Sequence, residues 1–142
     1  MPGKTFKLEF KGYWREPNIT GIPAQSGVFC AYTCTFFEAE KTVTIHKLLY
    51  IGSSDDVRAT VAANALLQSL QEYKDGTQQL CFSFAPVGPE GRERVEAALI
   101  HHHKPPGNTS DAEEFPFPKT TLELSGAIAL LAPNFTVNRD GG

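Results

Sequence analysis

This 142-residue chain has no long apolar segment, few cysteines and no excess of positive charge. The longest apolar run, 127–132, is far shorter than the ~20 residues of a membrane-spanning helix, and residues 1–10 lack the apolar core of a signal peptide. We therefore expect no membrane contact and a cytoplasmic location. The net charge of −3 argues against binding through bulk positive charge, although it leaves room for a local basic strip.

Cysteine occurs three times, at Cys30, Cys34 and Cys81. The number is odd and the spacing matches no metal site, so neither a disulfide framework nor a zinc centre is indicated. On one face of a strand, Cys30 and Cys34 would lie about 13 Å apart, which is too far to bridge. We predict reduced thiols.

The composition is that of a globular protein, with 41% apolar and 11% aromatic residues. The chain has no repeat and no linker, so we expect one domain, 1–142. β-Rich or alternating patterns predict strands at 6–10, 27–37, 42–51, 80–86, 120–124 and 135–137. The short connection between the strands at 27–37 and 42–51 predicts an antiparallel hairpin, with Leu49 and Ile51 on one side of the second strand. Helical spacing predicts one helix capped by Ser53 or Ser54 and ending before Asp75, and another from Gly88 to the histidines at 101–103. Residues 127–131 fit either a strand or a helix.

The second of these helices holds a carboxylate in an unusual place. From Val95 to Ile100 every residue except Glu96 is apolar, and successive helical residues sweep about 100° each, so apolar side chains surround the helix. A carboxylate in that setting needs a cation, a metal ion or several hydrogen-bond donors. The alternative is that Glu96 reaches solvent and that Asn108 serves only a turn.

Three short motifs together resemble the GIY-YIG nuclease family. They are GVF at 27–29, LYIG at 49–52, and Glu96 followed twelve residues later by the last residue of HKPPGN at 103–108. The resemblance covers about residues 26–110.

The resemblance implies an α+β fold with a small central three-stranded antiparallel sheet flanked by helices. The GVF and LYIG motifs would lie on neighbouring strands and form one wall of the site. Extensions at 1–25 and 111–142 would add strands outside the core at 26–110.

The resemblance also implies a metal-dependent endonuclease that hydrolyses nucleic-acid phosphodiesters, with DNA as the expected substrate. One Mg²⁺ or Mn²⁺ ion would bind Glu96, polarise the phosphate and assist attack by water. The expected catalytic residues are Tyr50, Glu96, Asn108, Phe29 and Arg58. The expected substrate-binding residues are Gly27, Gly52, Thr60, Asn64 and Lys104.

Three of these positions depart from the family pattern. Phe29 stands in place of a tyrosine, Thr60 in place of an arginine and Asn64 in place of a histidine, so one phenol and two cationic groups are absent. Arg58 lies two positions before Thr60 and would project about 200° away on a helix, so it is no substitute for the arginine. These departures raise the alternative that hydrolysis is weakened or lost.

Other interpretations of the same residues stay open. The histidines at 101–103 favour a helix-end cluster over a metal site, because consecutive helical residues fan out. Tyr50 could be plain core packing. Phe115 and Phe117 could stack on bases or could hold the C-terminal segment onto the core.

The sequence therefore supports three classes of function. The chain is a metal-dependent endonuclease, a catalytically inactive nucleic-acid-binding module, or a partner-binding domain that keeps the scaffold for stability alone. The oligomeric state is left open.

Overall fold

The computed structural model describes residues 3–108 and 115–138, and in those ranges six strands form one mixed sheet. The order across the sheet is β3-β2-β4-β1-β5-β6. The strands are β1 Lys4–Arg15, β2 Gly27–Phe37, β3 Thr42–Ser54, β4 Gln79–Pro86, β5 Thr120–Gly126 and β6 Asn134–Val137. The helices are α1 Val57–Ala62, α2 Asn64–Leu70 and α3 Arg92–His103, with 3₁₀ turns at Glu16–Gly21, Gln71–Tyr73 and Pro106–Asn108.

The prediction of a small three-stranded sheet flanked by helices is wrong. β1 lies between β4 and β5, antiparallel to the first and parallel to the second. β6 extends the sheet further by pairing antiparallel with β5. Local patterns could not predict this arrangement, because the pairing of β1 with β5 joins opposite ends of the chain.

Helix α3 lies on one face of the sheet and contacts β2 and β3 at one end of it and β5 and β6 at the other. The sheet therefore curls around this helix. Four residues of α3 are buried in the contact, namely Val95, Ala98, Leu99 and Ile100. No helix in the described ranges is long and apolar enough to cross a membrane.

The opposite face of the sheet is covered by α1, α2 and the turn Glu16–Gly21. One continuous helix was expected here, but Ala63 adopts an extended conformation with ψ 126° and divides it in two. The cap is Asp56 rather than Ser53 or Ser54, since its side chain accepts a hydrogen bond from the Ala59 N–H at 3.1 Å.

β2 and β3 form the predicted antiparallel hairpin, although β3 continues to Ser54. Ala31 pairs with Tyr50 and the next residue pairs with Leu48, so Leu49 is an extra residue in β3. This bulge turns Leu49 into the core beneath α1, whereas Ile51 packs beneath α3. The two side chains were expected on the same side. Residues 127–131 are neither strand nor helix, but form a turn closed by the Leu131 N–H bond to Ile128 O.

Candidate functional site

The two motifs expected on neighbouring strands are paired residue by residue. Gly27 pairs with Ser54, Val28 with Ser53, and Phe29 with Gly52. The rings of Phe29 and Tyr50 lie 6.0 Å apart between centroids. A Cβ added at Gly52 would lie 2.7 Å from Phe29 Cζ, so glycine is required for the aromatic rings to close over this point of β3.

These two rings belong to the core beneath α1. Phe29 is fully buried there, and the half-buried Tyr50 packs against the same cluster. Gly27 has a comparable packing role, because a side chain there would collide with the Ala85 carbonyl oxygen. The aromatic wall of the predicted site therefore lies on the α1 face of the sheet.

Glu96 lies on the other side of the strand end, and its carboxylate is held by a serine. The Ser53 hydroxyl donates to Glu96 Oε1 at 2.7 Å. Glu96 is half-buried, as the apolar ring around it predicted. Ser53 was not expected in the site, although alternation from Ile51 along β3 places its side chain toward α3.

Arg92, one turn before Glu96 on α3, is a second residue that the sequence did not single out. Residues four apart on a helix share a face, so its side chain projects on the same side as Glu96. Its Nη1 donates to Ser26 Oγ at 2.9 Å, and Ser26 Oγ donates to the Val87 carbonyl at 2.7 Å. Helix α3 is thereby tied to both strand ends, through Ser26 before β2 and Ser53 in β3.

Asn108 has a structural role in the sheet. Its side chain is only 3% exposed. Its Oδ1 accepts from the Ile51 N–H at 2.8 Å, and its Nδ2 donates to the Ile51 carbonyl at 2.9 Å. The amide therefore pairs with the backbone of β3 as another strand would, which fixes the turn that follows α3 against the site.

The remaining predicted residues are bound to protein groups or lie at its surface. Thr60 Oγ1 donates to Ser54 Oγ at 2.6 Å, and Arg58 Nε donates to the Ile22 carbonyl at 2.6 Å. Arg58 thus turns away from the Thr60 direction, as helical geometry predicted. Lys104 is exposed and ends α3 with a left-handed φ of 49°. Asn64 begins α2, and its side chain lies outside the described part of the chain.

The end of β3 collects most of these groups, but not on one face. Ser53 points toward α3 and bonds Glu96, whereas Ser54 points toward α1 and bonds Thr60. Tyr50 lies with Thr60 on the α1 side. Tyr50, Glu96 and Asn108 were expected to line one cleft. They instead lie around the end of β3, which α1 contacts from one face and α3 from the other.

His102 and His103 fill structural roles. His103 Nδ1 lies 2.9 Å from the Leu99 carbonyl, and its Nε2 accepts from the Ala132 N–H at 3.0 Å, so the proton must be on Nδ1. His102 stacks on Phe135 with 4.1 Å between ring centroids. In the described ranges no three His, Cys, Asp or Glu side chains group as metal ligands.

The aromatic and sulfur residues left open by the sequence are also part of the core. Phe115 is fully buried and lies 5.7 Å from Phe117 between ring centroids, which supports the role of holding the C-terminal segment onto the core. All three cysteines are free and buried. Burial raises the pKa of the Cys30 thiol to about 12, so it stays protonated at neutral pH.

Glu96 is the residue to which the family resemblance assigns a divalent cation. A carboxylate oxygen is the ligand type that Mg²⁺ and Mn²⁺ prefer, and such ions commonly take one or two carboxylates together with water and substrate phosphate. The Ser53 hydroxyl donates to one oxygen of this carboxylate. Comparison of the chain with models of known protein families, with curated proteins and with solved structures gives no match.

Proposed function

We propose that this chain is a GIY-YIG-type nuclease domain that binds nucleic-acid phosphodiesters at the end of β3 and hydrolyses them slowly with one divalent cation at Glu96. The observation that carries the proposal is the half-buried Glu96 carboxylate, oriented by Ser53 at a strand end where the GVF and LYIG motifs pair. The pairing is further support, since it joins Phe29 directly with Gly52.

Each group at the strand end has a distinct task in this proposal. The Ser53 hydroxyl holds one oxygen of Glu96 and so orients the carboxylate. An ion bound by that carboxylate would supply Lewis-acid polarisation of the phosphate and activation of water. The pairing of Asn108 with Ile51 keeps the strand end and the turn after α3 in place.

The proposed rate is low because two positions lack the groups that assist hydrolysis. Thr60 presents a hydroxyl engaged by Ser54 instead of a guanidinium, and Phe29 has no phenolic oxygen. Loss of one preorganised charge stabiliser costs on the order of 10²-fold or more in rate.

Nicking of supercoiled plasmid in Mn²⁺ tests the proposal, with wild type compared with Glu96→Gln. We expect slow nicking by wild type and a loss of about 10²-fold in the variant, which keeps an oxygen for the Ser53 hydroxyl. Glu93→Gln is the matched control, because Glu93 is exposed on the same helix. Equal nicking by wild type and Glu96→Gln, or none by either, would overturn the proposed hydrolysis.

The second candidate is a nucleic-acid-binding module without hydrolysis. It is favoured by Thr60, Arg58 and Asn108, because their polar atoms form hydrogen bonds within the protein rather than facing a substrate site. Salt-dependent retardation of DNA in a gel, together with no nicking in Mn²⁺, would select this candidate.

A further inference from the structure

Arg92 uses its guanidinium for one hydrogen bond in the described ranges, and unlike Arg58 and Arg15, which also make one, it lies on α3, the helix that carries Glu96. Arg94 donates to the oxygens of Thr120, Pro118 and Lys119, at distances from 2.7 to 3.4 Å. Arg58 bonds the Ile22 carbonyl, and Arg15 lies over the Phe36 ring at 3.7 Å and bonds Gln79. In the same ranges, the Arg92 guanidinium donates one hydrogen bond, to the neutral hydroxyl of Ser26.

A guanidinium has five N–H donors, so the single bond to Ser26 leaves most of its donor capacity for a ligand. Arg92 is half-buried at the start of α3, and its position four residues before Glu96 places both side chains on the same face of the helix. Ser26 is itself anchored by its bond to the Val87 carbonyl, which limits where the guanidinium can move.

We propose that Arg92 contacts a phosphate of the nucleic-acid backbone and thereby supplies, from α3, a positive charge at the strand end. This inference rests on the proposed function for the class of ligand, but not on hydrolysis. A planar guanidinium suits a phosphate because two N–H groups can donate to two oxygens in parallel. The charge would lie on the face that carries Glu96 rather than on the α1 face of Thr60.

The test measures binding of a short fluorescein-labelled DNA duplex by fluorescence anisotropy over a range of salt concentrations. The Glu96→Gln protein, with divalent ions chelated, is the parent, so hydrolysis does not enter. Arg92→Met should weaken binding about tenfold at low salt. It should also make the negative slope of log affinity against log salt shallower by about one. Arg92→Lys should restore most of the slope, because it keeps the charge.

Two matched variants separate a phosphate contact from a structural role. Ser26→Ala removes the same hydrogen bond but keeps the charge, so its slope should equal that of the parent. Lys7→Met removes one exposed charge from the face of β1 opposite to Leu8, which packs in the core around α3, and should also keep the slope. Thermal unfolding of each variant reports any loss of packing.

Three outcomes would overturn the inference, and a fourth would reject hydrolysis alone. An unchanged slope in Arg92→Met, or an equal fall in Ser26→Ala or Lys7→Met, rejects Arg92 as the phosphate contact while the proposed function stands. Absence of salt-dependent binding by the parent rejects both the contact and nucleic acid as the ligand. Loss of nicking in the separate plasmid assay, with the slope still lowered in Arg92→Met, rejects hydrolysis alone.

Discussion

Two adjacent serines at the end of β3 lie in opposite surroundings. Ser53 donates to the Glu96 carboxylate on the α3 face, whereas Ser54 accepts from the neutral Thr60 hydroxyl on the α1 face. The α3 face therefore carries a carboxylate and the guanidinium of Arg92. On the α1 face, the hydroxyl groups of Ser54 and Thr60 form a hydrogen bond with each other. A carboxylate and a guanidinium thus lie on one side of a strand end that the motifs alone describe as a single site.

The two faces also differ in how their cores are built. The buried cluster beneath α1 contains only hydrocarbon side chains, among them Phe29, Leu49 and Phe82. The cluster around α3 includes three thiols and the Tyr32 ring with its hydroxyl. The polar character of the α3 side thus extends from the strand end into the core, and substitutions on the two sides should have different consequences.

The largest effect is expected for Asn108→Ala, on the α3 side. The change leaves the buried N–H and carbonyl of Ile51 unpaired, so the free energy of unfolding should fall by about 2–4 kcal/mol. Urea unfolding followed by circular dichroism measures it. Asn134→Ala, at an exposed asparagine of β6, is the control and should change stability by less than about 0.5 kcal/mol. Equal stability of the two variants would reject the structural role of Asn108.

Thr60→Arg tests whether the α1 face reaches the same ligand. If side chains from both faces of the sheet contact the same phosphate, a guanidinium at position 60 should raise plasmid nicking in Mn²⁺ on the order of 10²-fold. The gain should disappear when Glu96→Gln is added. A folded Thr60→Arg protein that nicks no faster than wild type would show that only the α3 face is used.

Glu16→Gln probes the anchoring of the α1 side. Glu16 accepts from the Leu80 N–H at 3.0 Å, from Gln71 at 3.1 Å and from Lys74 at 3.2 Å. Burial alone would raise the pKa of this carboxyl, but these donors bring it below its ordinary value of 4.5. We expect a loss of about 1–2 kcal/mol at neutral pH from weaker hydrogen bonding to an uncharged group.

The pH dependence of that loss has a defined sign. Because the folded-state pKa of Glu16 lies below the unfolded value, its contribution is complete above the unfolded pKa and is lost as pH falls through the folded pKa. The stability difference between wild type and Glu16→Gln should therefore shrink on acidification. Urea unfolding at a series of acidic pH values measures it, and a difference that grew would contradict the assignment.

The smallest effect is expected at His103, at the end of α3. Burial lowers the pKa of this imidazole, although its bond to the Leu99 carbonyl acts in the opposite direction. Protonation would break the Ala132 N–H bond to Nε2, so stability should be full above the unfolded pKa and fall by about 0.5–1 kcal/mol as pH drops through the folded pKa. His103→Gln should show a smaller dependence of melting temperature on pH. An identical dependence would reject this role.

Much of the local structure could be predicted from the sequence. Alternation and β-rich composition located β2 and β4 with the observed bounds to within a residue, and the short connection predicted the β2–β3 hairpin. The partition of side chains in β3 was wrong at Leu49, because a bulge adds one residue without any mark in the hydrophobic pattern. The sheet order could not be predicted, because it depends on pairing between the ends of the chain.

The site was predictable where a residue type conflicts with its surroundings. Glu96 stood out as a charge within an apolar ring, and the structure supplies Ser53 as a hydrogen-bond partner. Ser53 and Arg92 were missed because a serine after a glycine is typical of a helix cap and an arginine at a helix start is typical of a surface. Their roles follow from tertiary contacts with α3 and Ser26, which no local pattern contains.

The pairing of Asn108 with Ile51 has a consequence for association between molecules. β3 is the outermost strand of the sheet, and an open strand edge is a template on which another chain can add by backbone hydrogen bonding. The Asn108 amide occupies the N–H and the carbonyl of Ile51 that such a chain would need. At this point of the edge, one side chain therefore blocks intermolecular β-addition.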